Sequence, residues 1–119
     1  GETLTPPAPP KDTATDPKAT VTKFLGNLSS QNFKAAYESA DNPNWGSYDK
    51  FANPNSGFGS VKNINVKSIS VPYNKDNSAN VNVTYDVTDK NGKTTALNVT
   101  YGLKAVNNTW KITTYKINN

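Results

Sequence analysis

Nine carboxylates and thirteen lysines are spread over 119 residues that include no histidine, no cysteine and no arginine. Without imidazole or thiol there is no histidine base, no cysteine nucleophile and no zinc site of the usual His or thiolate kind. Acid-base chemistry would therefore fall to a carboxylate whose pKa burial has raised. Asp16, Asp41, Asp76 and Asp89 stand at predicted helix caps or turns, Glu2 and Asp12 lie in the head of the chain, and Asp86 falls on the polar parity of a strand. Only Glu38, beside Tyr37 on a helix edge, and Asp49, among loop aromatics, are left. Both contexts favour a solvated acid, so the expectation is a domain with no catalytic residue, no metal and no cofactor.

The second chemical resource is aromatic. Tyr37, Trp45, Tyr48, Phe51, Tyr85 and Tyr101 fall where they could line the concave side of a sheet, their rings supplying apolar area and, for Tyr and Trp, a polar handle. Such rings either bind an apolar small molecule or plug the open end of the sheet as core. Core packing is the simpler reading, and the sequence leaves both open. The net charge of +4 rests entirely on evenly spread lysine. Nucleic-acid readers lean on the planar guanidinium fork and on dense basic stripes, so no nucleic-acid partner is expected.

Elements must hold these side chains in place. The opening GETLTPPAPPKDTAT puts four prolines within residues 6–10 and is otherwise small, polar or charged, a composition that favours extended polyproline and cannot bury a core. Residues 1–15 are read as a disordered tether, and 16–119 as a single domain. A tether of this kind suits a chain whose front once carried a secretion or lipoprotein signal, so membrane attachment is expected only through a lost N-terminal anchor. No run of 18 apolar residues is present.

Asp16-Pro17 is a strong helix start, since Asp caps free amides and Pro suits the first helical position. Val21, Phe24, Leu25 and Leu28 then form one apolar stripe. NLSSQN should end that helix and cap the next through Ser29 or Ser30, after which Phe33, Ala36, Tyr37 and Ala40 repeat the stripe. Trp45, Tyr48 and Phe51 suit a short third helix. Four strand patterns follow. Residues 61–73 change phase at Lys67-Ser68, implying a bulge. Residues 79–89 alternate cleanly, with Val81, Val83, Tyr85 and Val87 on one parity. Asn91-Gly92 has the residues of a tight hairpin turn. Thr95, Leu97, Val99, Tyr101 and Leu103 then face inward, and the last strand shifts from Trp110 and Ile112 to Tyr115 and Ile117. The expected fold is α+β: three N-terminal helices packed on a strongly bent, four-stranded antiparallel sheet, closing into a cone.

TVTKFLGNLSSQNFKAAYESA resembles the helix, polar step and F-x-x-A-Y opening of the nuclear transport factor 2-like superfamily, a cystatin-like cone. GLKAVNNTWKITTYKI is similar to its terminal hairpin, with Trp just before the last strand. The resemblance spans residues 16–118. Within that superfamily the chain looks most like small extracytoplasmic bacterial domains: lumazine-binding-like lipoproteins of unknown function, the accessory domain of some low-affinity penicillin-binding proteins, and the periplasmic domain of type IV secretion core components. What this implies is a non-catalytic binding or interaction module at the cell envelope, periplasmic or at the cell surface and lipid-anchored. The implied partner is a protein or an apolar small molecule, and the implied state a monomer or a sheet-to-sheet homodimer. The superfamily also contains isomerases and dehydratases that set an acid beside Tyr donors deep in the cone, which keeps a small enzyme using Glu38 or Asp49 as the alternative. A scaffold domain of a secretion system is a second alternative.

Overall fold

The computed structural model describes residues 16–55 and 57–118, so the expected tether over 1–15 lies outside the described residues. Asp16 accepts the Lys18 amide at 2.9 Å and Pro17 occupies the first turn of α1 (Pro17–Ser29). The helix buries Val21, Phe24, Leu25 and Leu28, the four residues of its apolar stripe. At its end the Ser30 amide and hydroxyl both return to the Gly26 carbonyl, at 3.1 and 3.0 Å.

Neither Ser29 nor Ser30 caps the next helix. Asn32 stands at the N-cap position of α2 (Phe33–Glu38) without a side-chain capping bond, and Gln31 turns the chain at φ 63°. The polar joint is used elsewhere. Ser29 Oγ accepts the Ile64 amide at 2.9 Å, and the Gln31 side-chain amide donates to the Lys62 carbonyl at 2.7 Å. Ile64 and Lys62 belong to an outermost strand, whose unpaired backbone groups need partners. Sealing that edge outweighs capping a six-residue helix.

The expected third helix is split. Pro43–Trp45 forms a 3-10 turn and Tyr48–Phe51 a single turn, α3, and Gly46 at φ 66° separates them. A left-handed residue cannot continue a right-handed helix, so one segment becomes two. A further 3-10 turn, Phe58–Ser60, leads into the sheet.

The sheet is a four-stranded antiparallel meander in the order β1 (Val61–Lys75), β2 (Ser78–Asp89), β3 (Thr94–Val106), β4 (Thr109–Ile117). Its two-residue hairpins are Asp76-Asn77 and Asn107-Asn108, with φ of 55°, 64°, 54° and 63°. Paired left-handed residues match the twist of the flanking strands, and Asn and Asp tolerate that region best after glycine. Asn91-Gly92 is instead part of a longer loop closed by the Asp89 amide on the Lys93 carbonyl at 2.9 Å. There only Gly92 of the pair is left-handed, because the Asp89 carboxylate takes the amides of Asn91 and Lys93 at 2.9 and 3.0 Å.

Register shifts fall at Val61/Asn63, Val66/Ser68 and Ser70/Tyr73 in β1 and opposite Gly102/Leu103 in β4, and those at Val66/Ser68 and Gly102/Leu103 match the two places where the apolar parity changes phase. The second leaves Thr113 unpaired, so Trp110, Ile112 and then Tyr115 all reach the helical side, whereas Ile117 is exposed. α1 packs on this side against β1, β2 and β4, over Val81, Val83, Val99 and Ile112, all fully buried. Each such side chain contributes about 1.5–3 kcal/mol by leaving water. The segment after α2 runs along the free edge of β4, with the Asp41 amide on the Ile112 carbonyl at 2.7 Å and the Ile112 amide on the Ser39 carbonyl at 3.1 Å.

Candidate functional site

Phe24, at the middle of α1, organises the aromatic residues. Trp45 stacks on it at 5.5 Å and 9°, while Phe51, Phe58 and Tyr101 surround it at 5.9–6.3 Å in tilted or edge-on contact. Tilted and edge-on pairs set a positive ring edge on a negative ring face, which adds about 0.5–1.5 kcal/mol per pair to area burial. Tyr37 extends the pile outward, 5.2 Å from Phe51 and 5.6 Å from Tyr48, and its hydroxyl donates to the Gly46 carbonyl at 2.8 Å. Tyr48 forms the solvent rim.

Of the six residues singled out, Tyr37, Trp45, Tyr48, Phe51 and Tyr101 thus belong to one ring system. Tyr85 joins it through its hydroxyl, 3.1 Å from that of Tyr101. Three members were not singled out as site residues: Phe24, Phe58 and Tyr115. Tyr115 bridges Trp45, Phe58 and Tyr101 at 5.4–5.9 Å. Its signal was the phase change in the last strand, which carries position 115 across the Thr113 bulge onto the helical side.

Phe58 and Tyr115 form the wall between two of the clefts that open beside the pile. One, of about 390 Å³, is bounded by Trp45, Phe51, Lys50 and Gly57. The other, of about 240 Å³, runs over Val61, Ile64, Tyr85, Val87 and Leu97, with Asp89, Lys93 and Thr95 among its polar residues. Tyr85 and Tyr115 bring phenolic groups to this second cleft.

Burial raises the pKa of all three inner phenols. Tyr101 is raised well above the usual phenol value by burial, reinforced by the neighbouring Tyr85. Tyr115 is pushed far up by burial and by Tyr85, and in Tyr85 hydrogen bonds to Tyr101 and Tyr115 partly offset the effect of burial. All three are neutral at pH 7, able to donate and accept hydrogen bonds but not to act as bases. Glu38 and Asp49 are both exposed and line neither cleft. The Glu38 carbonyl accepts the Lys111 ammonium at 2.5 Å, and Asp49 sits in the first turn of α3. Asp89 is held by the two hairpin amides described above.

A profile described as NTF2-like N-terminal transpeptidase domain matches residues 16–116. Among curated proteins none matches. Among solved structures, the chain is similar to a SEC-C motif containing protein from Rhodopseudomonas palustris, at 13% identity and TM-score 0.66, over 92% of this chain and 88% of that one. At that identity the likeness concerns the fold alone.

Proposed function

Because this chain belongs to the family of NTF2-like N-terminal transpeptidase domains, we propose that it is a non-catalytic module accessory to a transpeptidase unit, working outside the cytoplasm at the envelope of a bacterium. In this reading the helices and sheet form a cone whose hollow is occupied by the protein's own rings. The module is held at the membrane by a lipid anchor and offers its surface and rim clefts to a protein or an apolar small molecule.

The observation that carries the proposal is the filled interior. Phe24, Trp45, Phe51, Phe58, Tyr101 and Tyr115 occupy the space between α1 and the sheet, and the two acids singled out for general-base work stand outside it. An acid exposed on the surface is not positioned against a substrate in the interior, so the arrangement favours binding over turnover.

The test is made in the natural gene. Glu38→Gln and Asp49→Asn are introduced together, and the gene product is followed in envelope fractions with a fluorescent penicillin that acylates transpeptidases. Undiminished labelling of an envelope-associated product supports the proposal. A cytosolic product, a product that takes no label in wild-type form, or labelling lost on double substitution overturns it.

A further inference from the structure

The sheet face turned away from the helices carries a line of lysines that the interior does not explain. The register pairs Lys75 with Ser78, Ser78 with Lys104, and Lys104 with Lys111, which sets three lysines in one row across all four strands. Directly paired residues share a face, so these side chains leave the sheet on one side, with neighbouring strands about 5 Å apart, and the Lys111 ammonium then turns to the Glu38 carbonyl at the β4 edge. Lys104 and Lys111 lie directly opposite each other, a like-charge pair that weakens a sheet. Lys116, paired with Thr100 four residues from Lys104 along β3, adds a fourth cation to the same face.

The surrounding acids do not neutralise the row. Among the described residues the one ion pair is Lys67–Asp86 at 3.3 Å, further along the sheet. Asp76 lies in the turn next to Lys75, and Lys111 rests on the Glu38 carbonyl rather than on a carboxylate. Glu38 and Asp41 border the β4 edge beside Lys111, so four lysines against Asp76, Glu38 and Asp41 leave one net positive charge at this end.

The next two rows are uncharged apart from Lys116 and rich in hydrogen-bonding groups. They read Tyr73, Asn80, Gly102, Thr114 and then Ser70, Asn82, Thr100, Lys116. Amides and hydroxyls both donate and accept, as polyol hydroxyls do. The Thr114 hydroxyl lies over Gly102, with the Asn80 side chain next to it, and the 45% exposed ring of Tyr73 stands at the β1 end of this row. An acidic protein segment would call for apolar anchor pockets, and a nucleic acid for guanidinium forks and several stacking rings. This face offers neither.

We infer that the row Lys75–Lys104–Lys111, with Lys116 and Tyr73, docks a linear polyol-phosphate polymer, its phosphates on the lysines and its hydroxyls on the Asn and Thr side chains beside them. The inference rests on the sheet face and does not require the transpeptidase association.

The experiment titrates the domain, residues 1–119, with poly(glycerol phosphate) in low salt, following the backbone amides by NMR. Amides of residues 73–80, 100–104 and 111–116 should move, and log affinity should fall with log salt at a slope of about −3, from roughly 0.7 per lysine for four contacts. Lys75→Gln, Lys104→Gln and Lys116→Gln together should weaken binding about 100-fold, on the order of fivefold per lysine. The same change at Lys18, Lys23 and Lys34 on the helical side should leave it within about twofold, and unchanged thermal unfolding shows that both variants fold. Equal or tighter binding of polyglutamate, single-stranded DNA or phosphatidylglycerol vesicles would assign the face to another partner and overturn the inference. So would equal binding of neutral dextran, shifts confined to the helical side, or no binding at all. Failure of the penicillin labelling above would leave these outcomes untouched, so the two proposals fail separately.

Discussion

Raising the pH from 9 to 12 should unfold this domain cooperatively, and the responsible groups are Tyr85, Tyr101 and Tyr115. Each has a folded-state pKa raised by burial, so the folded protein holds a proton that the unfolded chain releases near pH 10. The sign is then fixed: stability from these phenols is fully present below about pH 10 and is lost as pH climbs from there toward the folded-state values. A phenol that keeps its proton in the fold removes about 1.4 kcal/mol of stability per pH unit once the unfolded chain is ionised. Three such groups act together against the roughly 5–15 kcal/mol that holds a domain together. The assay records phenolate absorbance at 295 nm beside near-ultraviolet circular dichroism, which reports the fixed environment of Trp45 and Trp110. Absorbance from three tyrosines should appear in one step with loss of the dichroism, and Tyr115→Phe should lower the slope of stability against pH by about a third. Smooth ionisation of all six tyrosines near pH 10 with the dichroism intact would refute the buried hydroxyl cluster.

Two packing predictions follow from the same coordinates. Phe24→Ala removes the ring on which Trp45, Phe51, Phe58 and Tyr101 converge, and urea unfolding should register a loss of about 3–5 kcal/mol with a red shift of Trp emission. Gly102→Ala drives a methyl into the Thr114 hydroxyl and should cost about 1–3 kcal/mol; adding Thr114→Ala removes that hydroxyl and should restore most of the loss, whereas purely additive costs would show that the contact is not the cause.

The helical half was legible where capping and periodicity agreed. Asp16-Pro17 and the stripe from Val21 to Leu28 defined α1 because both signals are local. Strand parity places Val81, Val83, Tyr85, Val99 and Tyr101 on one face for the same reason, and the two phase changes coincide with two of the four register shifts, while those at Val61/Asn63 and Ser70/Tyr73 left no such signal. The rest depended on distant partners. Ser29 looks like a cap in isolation, and only the unpaired edge of β1, more than thirty residues along the chain, draws it and Gln31 away. Asn91-Gly92 looks like the tightest turn, yet Asp89 competes for its amides, while Asn107-Asn108 and Asp76-Asn77 make the two-residue turns with less favoured residues. Phe24 looked like ordinary stripe until Trp45, itself in an irregular segment, was found stacked on it.

That division bears on where function can reside. The side of the sheet under α1 is committed to packing, since ring contacts run without a break from Tyr48 to Tyr115. A ligand there would have to displace Phe58 or Tyr115, or stay in the clefts that flank them. The opposite side has no such commitment. Its hydroxyls and amides bond laterally to one another, as in Asn82 with Thr100 at 2.7 Å and Thr88 with Thr94 at 2.9 Å, which holds the face in a fixed pattern while leaving lone pairs and donors outward. A sheet stabilised from one side can carry destabilising residues on the other, and the facing Lys104 and Lys111 are such a pair. Their repulsion is relieved by any polyanion that lies across the row, so the charge arrangement that weakens the free domain is the one that would strengthen it on binding.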